Sequence, residues 1–75
     1  MNPDLRDIVA DILDLRPDDI DDDFGPAVTD RWDSLSHLRI VTAVEEEFGV
    51  QFSMDEIQSI DGFGSLRLLI AAKRE

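Results

Sequence analysis

The chain contains no cysteine. That absence removes disulfide frameworks, Cys-ligated zinc and thiol catalysis together. It has no apolar run long enough to span a bilayer, and its first residues lack the basic-then-apolar order of a secretory signal. A cytoplasmic protein is the expectation. Basic residues are scarce: 7 Lys and Arg stand against 18 Asp and Glu, for a formal net charge of -11. Such a field repels nucleic acid and anionic membranes and draws in partners with basic surfaces. No segment alternates apolar and polar residues as a half-buried strand does, and there are no internal repeats or low-complexity tails. At 75 residues the chain is expected to form one domain over 1–75 with a modest core. That is small for a deep catalytic cleft and suits a binding, carrier or regulatory module.

What is present is helical periodicity. Leu5, Ile8, Val9, Ile12 and Leu13 recur at the spacing of one amphipathic stripe, with Asn2 placed to cap it and Pro3 suited to the first helical position. Pro17 is expected to stop this helix, and Gly25-Pro26 to prevent a restart. The intervening segment "RPDDIDDDFGPAVTDRW" is a long loop, punctuated by Ile20, Phe24, Val28 and Trp32. Those four residues read as anchors to the core, because a purely solvated linker would not carry them. A second helix begins at or just before Ser34, with Asp33 as its cap and Gly49 as its stop. His37, Ile40, Val41, Val44 and Phe48 share one face of it, while Arg39, Glu45 and Glu46 point away. "SMDE" is a capping box, Ser53 with Glu56, opening a short helix that carries Ile57 and Ile60. Asp61 is placed to cap a last helix with the stripe Phe63, Leu66, Leu69, Ile70 and with Lys73 and Arg74 at its end, where cations are favoured. The fold class expected is all-α: a small four-helix bundle of three main helices and a short third one.

Three chemical readings present themselves. "DDIDDDFG" has the acid of a calcium loop, but placing Gly25 at the sixth position of an EF-hand puts Ile20 first and Phe24 fifth, and neither coordinates an ion. Ser34 and His37 lie one helical turn apart, yet a hydrolase also needs an orienting acid beyond the histidine, an oxyanion hole and a pocket. Asp33, adjacent to Ser34, points elsewhere on a helix. No catalytic residue and no metal ligand is therefore assigned. The third reading is attachment: a helix N-terminus favours a phosphate group through its free N–H groups and partial positive charge. Against it stands the possibility that Ser34 merely caps its helix.

The constellation decides between these. Asp33-Ser34-Leu35, an apolar-faced helix ending in "VEEEFGVQF", a short capped helix and a final apolar helix together resemble the acyl carrier proteins over nearly the whole chain. The resemblance implies that Ser34 receives 4′-phosphopantetheine from coenzyme A, through a phosphopantetheinyl transferase that uses magnesium. Acyl groups then ride as thioesters on the arm's thiol, and the protein itself is not an enzyme. It further implies that Asp33, Leu35, Leu38, Arg39, Glu45 and Glu46 are read by partners, namely acyl-loading, acyl-transfer or condensing enzymes with basic docking surfaces. An apolar gap between the second and third helices, with His37, Val41, Val44, Ile57 and Ile60 as candidate lining, would shelter an acyl chain. No nucleic-acid or membrane partner is implied, and a monomer is expected.

Three residues depart from the family's common pattern. Arg39 stands where the recognition helix is usually acidic, and reads either as a solvated residue paired with a nearby acid or as a change of partner. Trp32 stands where the fatty-acid carriers have a small residue, and reads as a loop anchor or a specificity element. His37 lies on the apolar face near the acyl entrance. It reads as a hydrogen-bonded core residue or as pocket lining suited to a short or polar acyl group. Together they point to a discrete carrier of a dedicated pathway, such as polyketide, modified-acid or sugar-acylation biosynthesis. The alternatives are an aminoacyl or D-alanyl carrier, or a carrier-like module that binds partners without modification.

Overall fold

The computed structural model describes residues 4–74. It is built of four helices: α1, Leu5–Leu13; α2, Ser34–Phe48; α3, Met54–Ser59; and α4, Phe63–Lys73. A short 3₁₀ turn over Pro17–Asp19 interrupts the long loop, and no strand occurs among the described residues. The apolar stripes meet as their spacing requires. Val9 and Leu13 of α1, Ile40 and Val44 of α2, and Leu66 and Ile70 of α4 form one continuous core.

α1 does not run on to Pro17. It ends with Asp14 in the left-handed region at φ 57°, where aspartate is tolerated better than most residues. The N–H of Leu15 then closes back on the carbonyl of Ala10 at 2.8 Å, a Schellman-type turn. Arg31, arriving from the far end of the loop, donates its guanidinium to the carbonyls of Leu13 and Asp14 at 3.2 and 3.4 Å. A cation on the last carbonyls of a helix satisfies acceptors that the helix itself cannot. At the other end Asp4 occupies the cap position; Asn2 and Pro3 lie outside the described residues.

The loop is docked, not draped. Ile20, Phe24 and Trp32 are buried as anchors, but Val28 is 65% exposed and anchors nothing. Phe24 offers its carbonyl to the N–H of Phe63 at 2.8 Å, so a loop backbone group takes the role expected of Asp61 at the start of α4. Asp61 does not cap: its own N–H is donated to Ser65 Oγ at 3.0 Å, and Gly62 holds the cap position. The chains approach so closely here that a Cβ on Gly62 would sit 2.7 Å from the Phe24 carbonyl oxygen, and one on Gly25 2.8 Å from that of Asp61. The loop's acid serves local structure too. Asp22 forms a two-pronged pair with Arg67, both contacts at 3.1 Å, and Asp21 accepts the N–H of Asp23 at 3.0 Å.

α2 is bounded as expected. Gly49, at φ 65°, takes the left-handed position that closes it. Glu45 turns back to accept the N–H of Phe52 at 2.9 Å and so pins the connection to α3. In α3 the Ser53–Glu56 capping box is formed, with contacts of 2.8 and 3.2 Å. Lys73 of α4, besides sitting at its helix end, bonds Glu56 at 2.8 Å. That hydrogen bond, followed by the one from the Ser53 backbone, holds the Glu56 carboxyl below the usual glutamate range.

Candidate functional site

The site is assembled at the mouth of α2. Asp33 is extended and its carboxylate accepts the N–H of Ser36 at 2.8 Å, while its carbonyl accepts that of His37 at 2.9 Å. The first of these bonds, then one from the Ser36 side chain, holds the Asp33 carboxyl below the ordinary aspartate range. Asp33 is therefore the cap, and Ser34 is the first helical residue behind it. Ser34 is exposed, and its hydroxyl makes no hydrogen bond among the described residues. A hydroxyl with no structural duty, at the positive end of a fifteen-residue helix, is free to carry a phosphodiester.

Beside Ser34 a groove of about 610 Å³ opens between α2 and α3. Its wall is mainly apolar, drawn from Trp32, Leu38, Met54, Ile57 and Ile60, with His37 among them. Leu35, Leu38 and Met54 are 67%, 56% and 67% exposed, an unusual concentration of large apolar side chains facing solvent around one serine.

His37 has both ring nitrogens engaged. The Trp32 indole Nε1–H donates to Nδ1 at 3.0 Å, and Nε2 faces the Ile57 carbonyl at 2.9 Å. An indole N–H can only donate and a carbonyl can only accept, so the ring carries its proton on Nε2. His37 thus both lines the groove and is a hydrogen-bonded element of the packing. Neither nitrogen is turned to Ser34, whose hydroxyl contacts no base among the described residues.

The sequence expectation for the lining needs two corrections. Val41 and Val44 do not line the groove; at 3% and 0% exposure they belong to the core behind it. Periodicity placed them on the inner face correctly, but a stripe does not say how deep each member lies. Met54, Pro26 and Gln58 line the groove instead and were missed. Met54 had left one trace, as a large apolar residue opening a helix whose stripe begins only at Ile57.

Among the residues expected to face partners, Asp33, Leu35, Leu38, Arg39 and Glu46 are exposed. Glu45 is the correction: it is half-buried and committed to the N–H of Phe52. Arg39 forms no ion pair among the described residues, so the expected pairing with a nearby acid is not made. Trp32 is the anchor expected of it, 3% exposed beside Phe24, while its N–H reaches the groove through His37. No helix among the described residues is long and apolar enough to cross a membrane.

Comparison with known proteins adds three findings. No family model matches the chain. A curated relative, polyketide-8 synthase acyl carrier protein 2 of Streptomyces avermitilis, is 35% identical over 69 residues, covering 92% of this chain and 79% of the relative. Among solved structures, the solution structure of a holo acyl carrier protein from Geobacter metallireducens superposes with a TM-score of 0.83. It is 26% identical, and the match covers 93% of this chain and 80% of that one.

Proposed function

Because the chain belongs to the acyl carrier protein family, we propose that Ser34 is its point of attachment for 4′-phosphopantetheine and that its cargo belongs to a polyketide-type or similarly specialised pathway. The observation that carries the site is the division of labour at α2, where Asp33 caps the helix and leaves the Ser34 hydroxyl exposed and unengaged. The pathway reading leans on the Streptomyces relative and on Trp32, Arg39 and His37, which depart from the common fatty-acid carrier pattern.

In this reading Ser34 Oγ attacks the pantetheine-side phosphorus of coenzyme A on a transferase. The new Oγ–P bond forms, the P–O bond to adenosine 3′,5′-bisphosphate breaks, and the serine proton leaves to base. The attached arm supplies a thiol that holds acyl groups as thioesters. The chain's own residues do the rest. The first turn of α2 stabilises the phosphodiester through its dipole. The exposed Asp33, Glu46 and remaining surface acid draw in basic partner surfaces by weak, salt-sensitive contacts, and Leu35 and Leu38 give the encounter an apolar centre. Arg39, an exposed cation of α2, favours partners that set an acid opposite it.

The test is an intact mass after incubation with coenzyme A, magnesium and a broad-specificity phosphopantetheinyl transferase. Wild type should gain one phosphopantetheine, and Ser34→Ala none. If several transferases leave the folded protein unmodified, the unmodified partner-binding module is the better reading. Loading of the holo protein with D-alanine or another amino acid, in preference to acyl groups, would favour the aminoacyl carriers.

A further inference from the structure

Ser34, His37, Val41 and Val44 follow one another at helical spacings of three and four, and so form a single stripe along α2. The stripe changes character at His37. Ahead of it lies Ser34 at the open groove; behind it lie Val41 and Val44, closed in the core. His37 itself spans from α2 to α3 and is gripped at both ends, by the Trp32 indole and by the Ile57 carbonyl. That carbonyl belongs to the last turn of α3, where its backbone contact is the long 3.4 Å one from the Ile60 N–H. α3 contributes no fully buried side chain of its own, though Ile57 packs against the core, and polar ties add to that attachment. His37 supplies one such tie, and the Glu56–Lys73 pair supplies another.

We infer that His37 sets the depth of the cargo site: gripped between Trp32 and Ile57, it closes the inner end of the groove and confines a tethered acyl group to the outer strip formed by Leu38, Met54 and Ile57. This rests on the carrier reading above. An acyl chain advancing toward Val41 and Val44 has to swing the imidazole aside. That strips the Trp32 N–H, on a buried side chain, of its partner and leaves the Ile57 carbonyl only the long 3.4 Å contact from the Ile60 N–H. A hydrocarbon chain replaces neither bond, so methylenes beyond the groove gain little by entering. Polar acyl groups fare no better at this point, since both nitrogens of His37 are already taken. The carrier therefore displays its cargo at the surface and responds weakly to chain length.

The experiment transfers whole acyl-phosphopantetheine groups of two to ten carbons from the corresponding acyl-coenzyme A onto full-length protein, with mass confirming the product. Methyl NMR then locates the chain, and cleavage by hydroxylamine measures its shelter. In wild type, signals of Leu38, Met54 and Ile57 should move with cargo. Those of Val41 and Val44 should not, and cleavage rates should agree within about twofold across the series. His37→Ala should move Val41 and Val44 progressively and slow cleavage by roughly tenfold for each two further methylenes taken in. His37→Gln, which can again accept and donate, should restore the flat response. The wild-type arm needs no variant: chain-length-dependent shifts at Val41 and Val44, with cleavage slowing in parallel, overturn the inference while leaving the carrier reading intact. A protein that accepts no acyl-phosphopantetheine at all overturns both.

Discussion

Whether Trp32 and His37 act as one unit is open to a double-mutant cycle. Trp32→Phe keeps an aromatic ring beside Phe24, whose ring centre lies 6.1 Å away, and deletes the indole N–H. It leaves His37 Nδ1 without a donor. An unsatisfied buried acceptor costs about 1–3 kcal/mol, and the half-buried imidazole belongs at the lower end. The smaller ring adds about 1 kcal/mol of lost packing, for about 2 kcal/mol in all. His37→Leu strands the Trp32 N–H on a side chain that is 3% exposed, while the Ile57 carbonyl keeps only the long contact from Ile60 N–H at 3.4 Å. Its cost is again about 2 kcal/mol. The double variant contains neither the stranded Trp32 donor nor the stranded Nδ1 acceptor, and retains only the loss at the Ile57 carbonyl. It should cost less than the sum of the singles by about 1 kcal/mol or more.

A domain of this size has roughly 4–11 kcal/mol of stability, so the single variants remain folded and measurable. Urea unfolding followed by far-UV circular dichroism is the assay, since fluorescence is lost with the only tryptophan. Each single variant should also melt lower by about 8–16 °C. Additivity of the two single effects within ~0.3 kcal/mol, at unchanged urea dependence, would refute the coupling of Trp32 to His37.

Other expectations are narrower. Ser34→Ala should abolish modification yet change stability by less than ~0.5 kcal/mol, since its hydroxyl bonds nothing; a larger loss in urea unfolding would mean that the serine has a structural duty. Gly62→Ala should destabilise by about 1–3 kcal/mol, because the new Cβ meets the Phe24 carbonyl, a backbone atom that cannot turn aside; an unchanged melting temperature would refute that close approach. Asp33 and Glu56 both hold lowered carboxyl values in the folded state. Their stabilisation is therefore complete above the ordinary carboxylate value and lost as pH falls through the folded one, so stability should decline below about pH 4. Glu56→Gln should make the acid-side decline shallower, as read from melting temperatures across pH; an identical profile would mean that the Lys73 contact contributes nothing.

Much of the architecture was legible because its determinants are local. The α1 stripe, Asp33 before α2, Gly49 after it and the Ser53–Glu56 box each depend on residues within a turn or two of one another. Ser34 stood out for the same reason, in a short motif followed at a fixed distance by an apolar-faced helix. The ends of α1 and α4 were misplaced because distant groups settle them. Arg31 comes back from the loop to the last carbonyls of α1, and Phe24 offers its carbonyl at the start of α4. Neither partner is visible from within the helix it completes.

By itself, then, the sequence determined the helices, the face each one buries, the acid surface and the serine at the mouth of α2, since periodicity and capping are readable from near neighbours. Only tertiary structure decided depth and partnership. It put Val41 and Val44 in the core instead of the groove, gave Glu45 to the N–H of Phe52, and set His37 between Trp32 and Ile57. The physical reason is that helical spacing specifies direction around an axis. How far a side chain lies from solvent, and which polar group waits across the gap, depends on the other helices that pack against it.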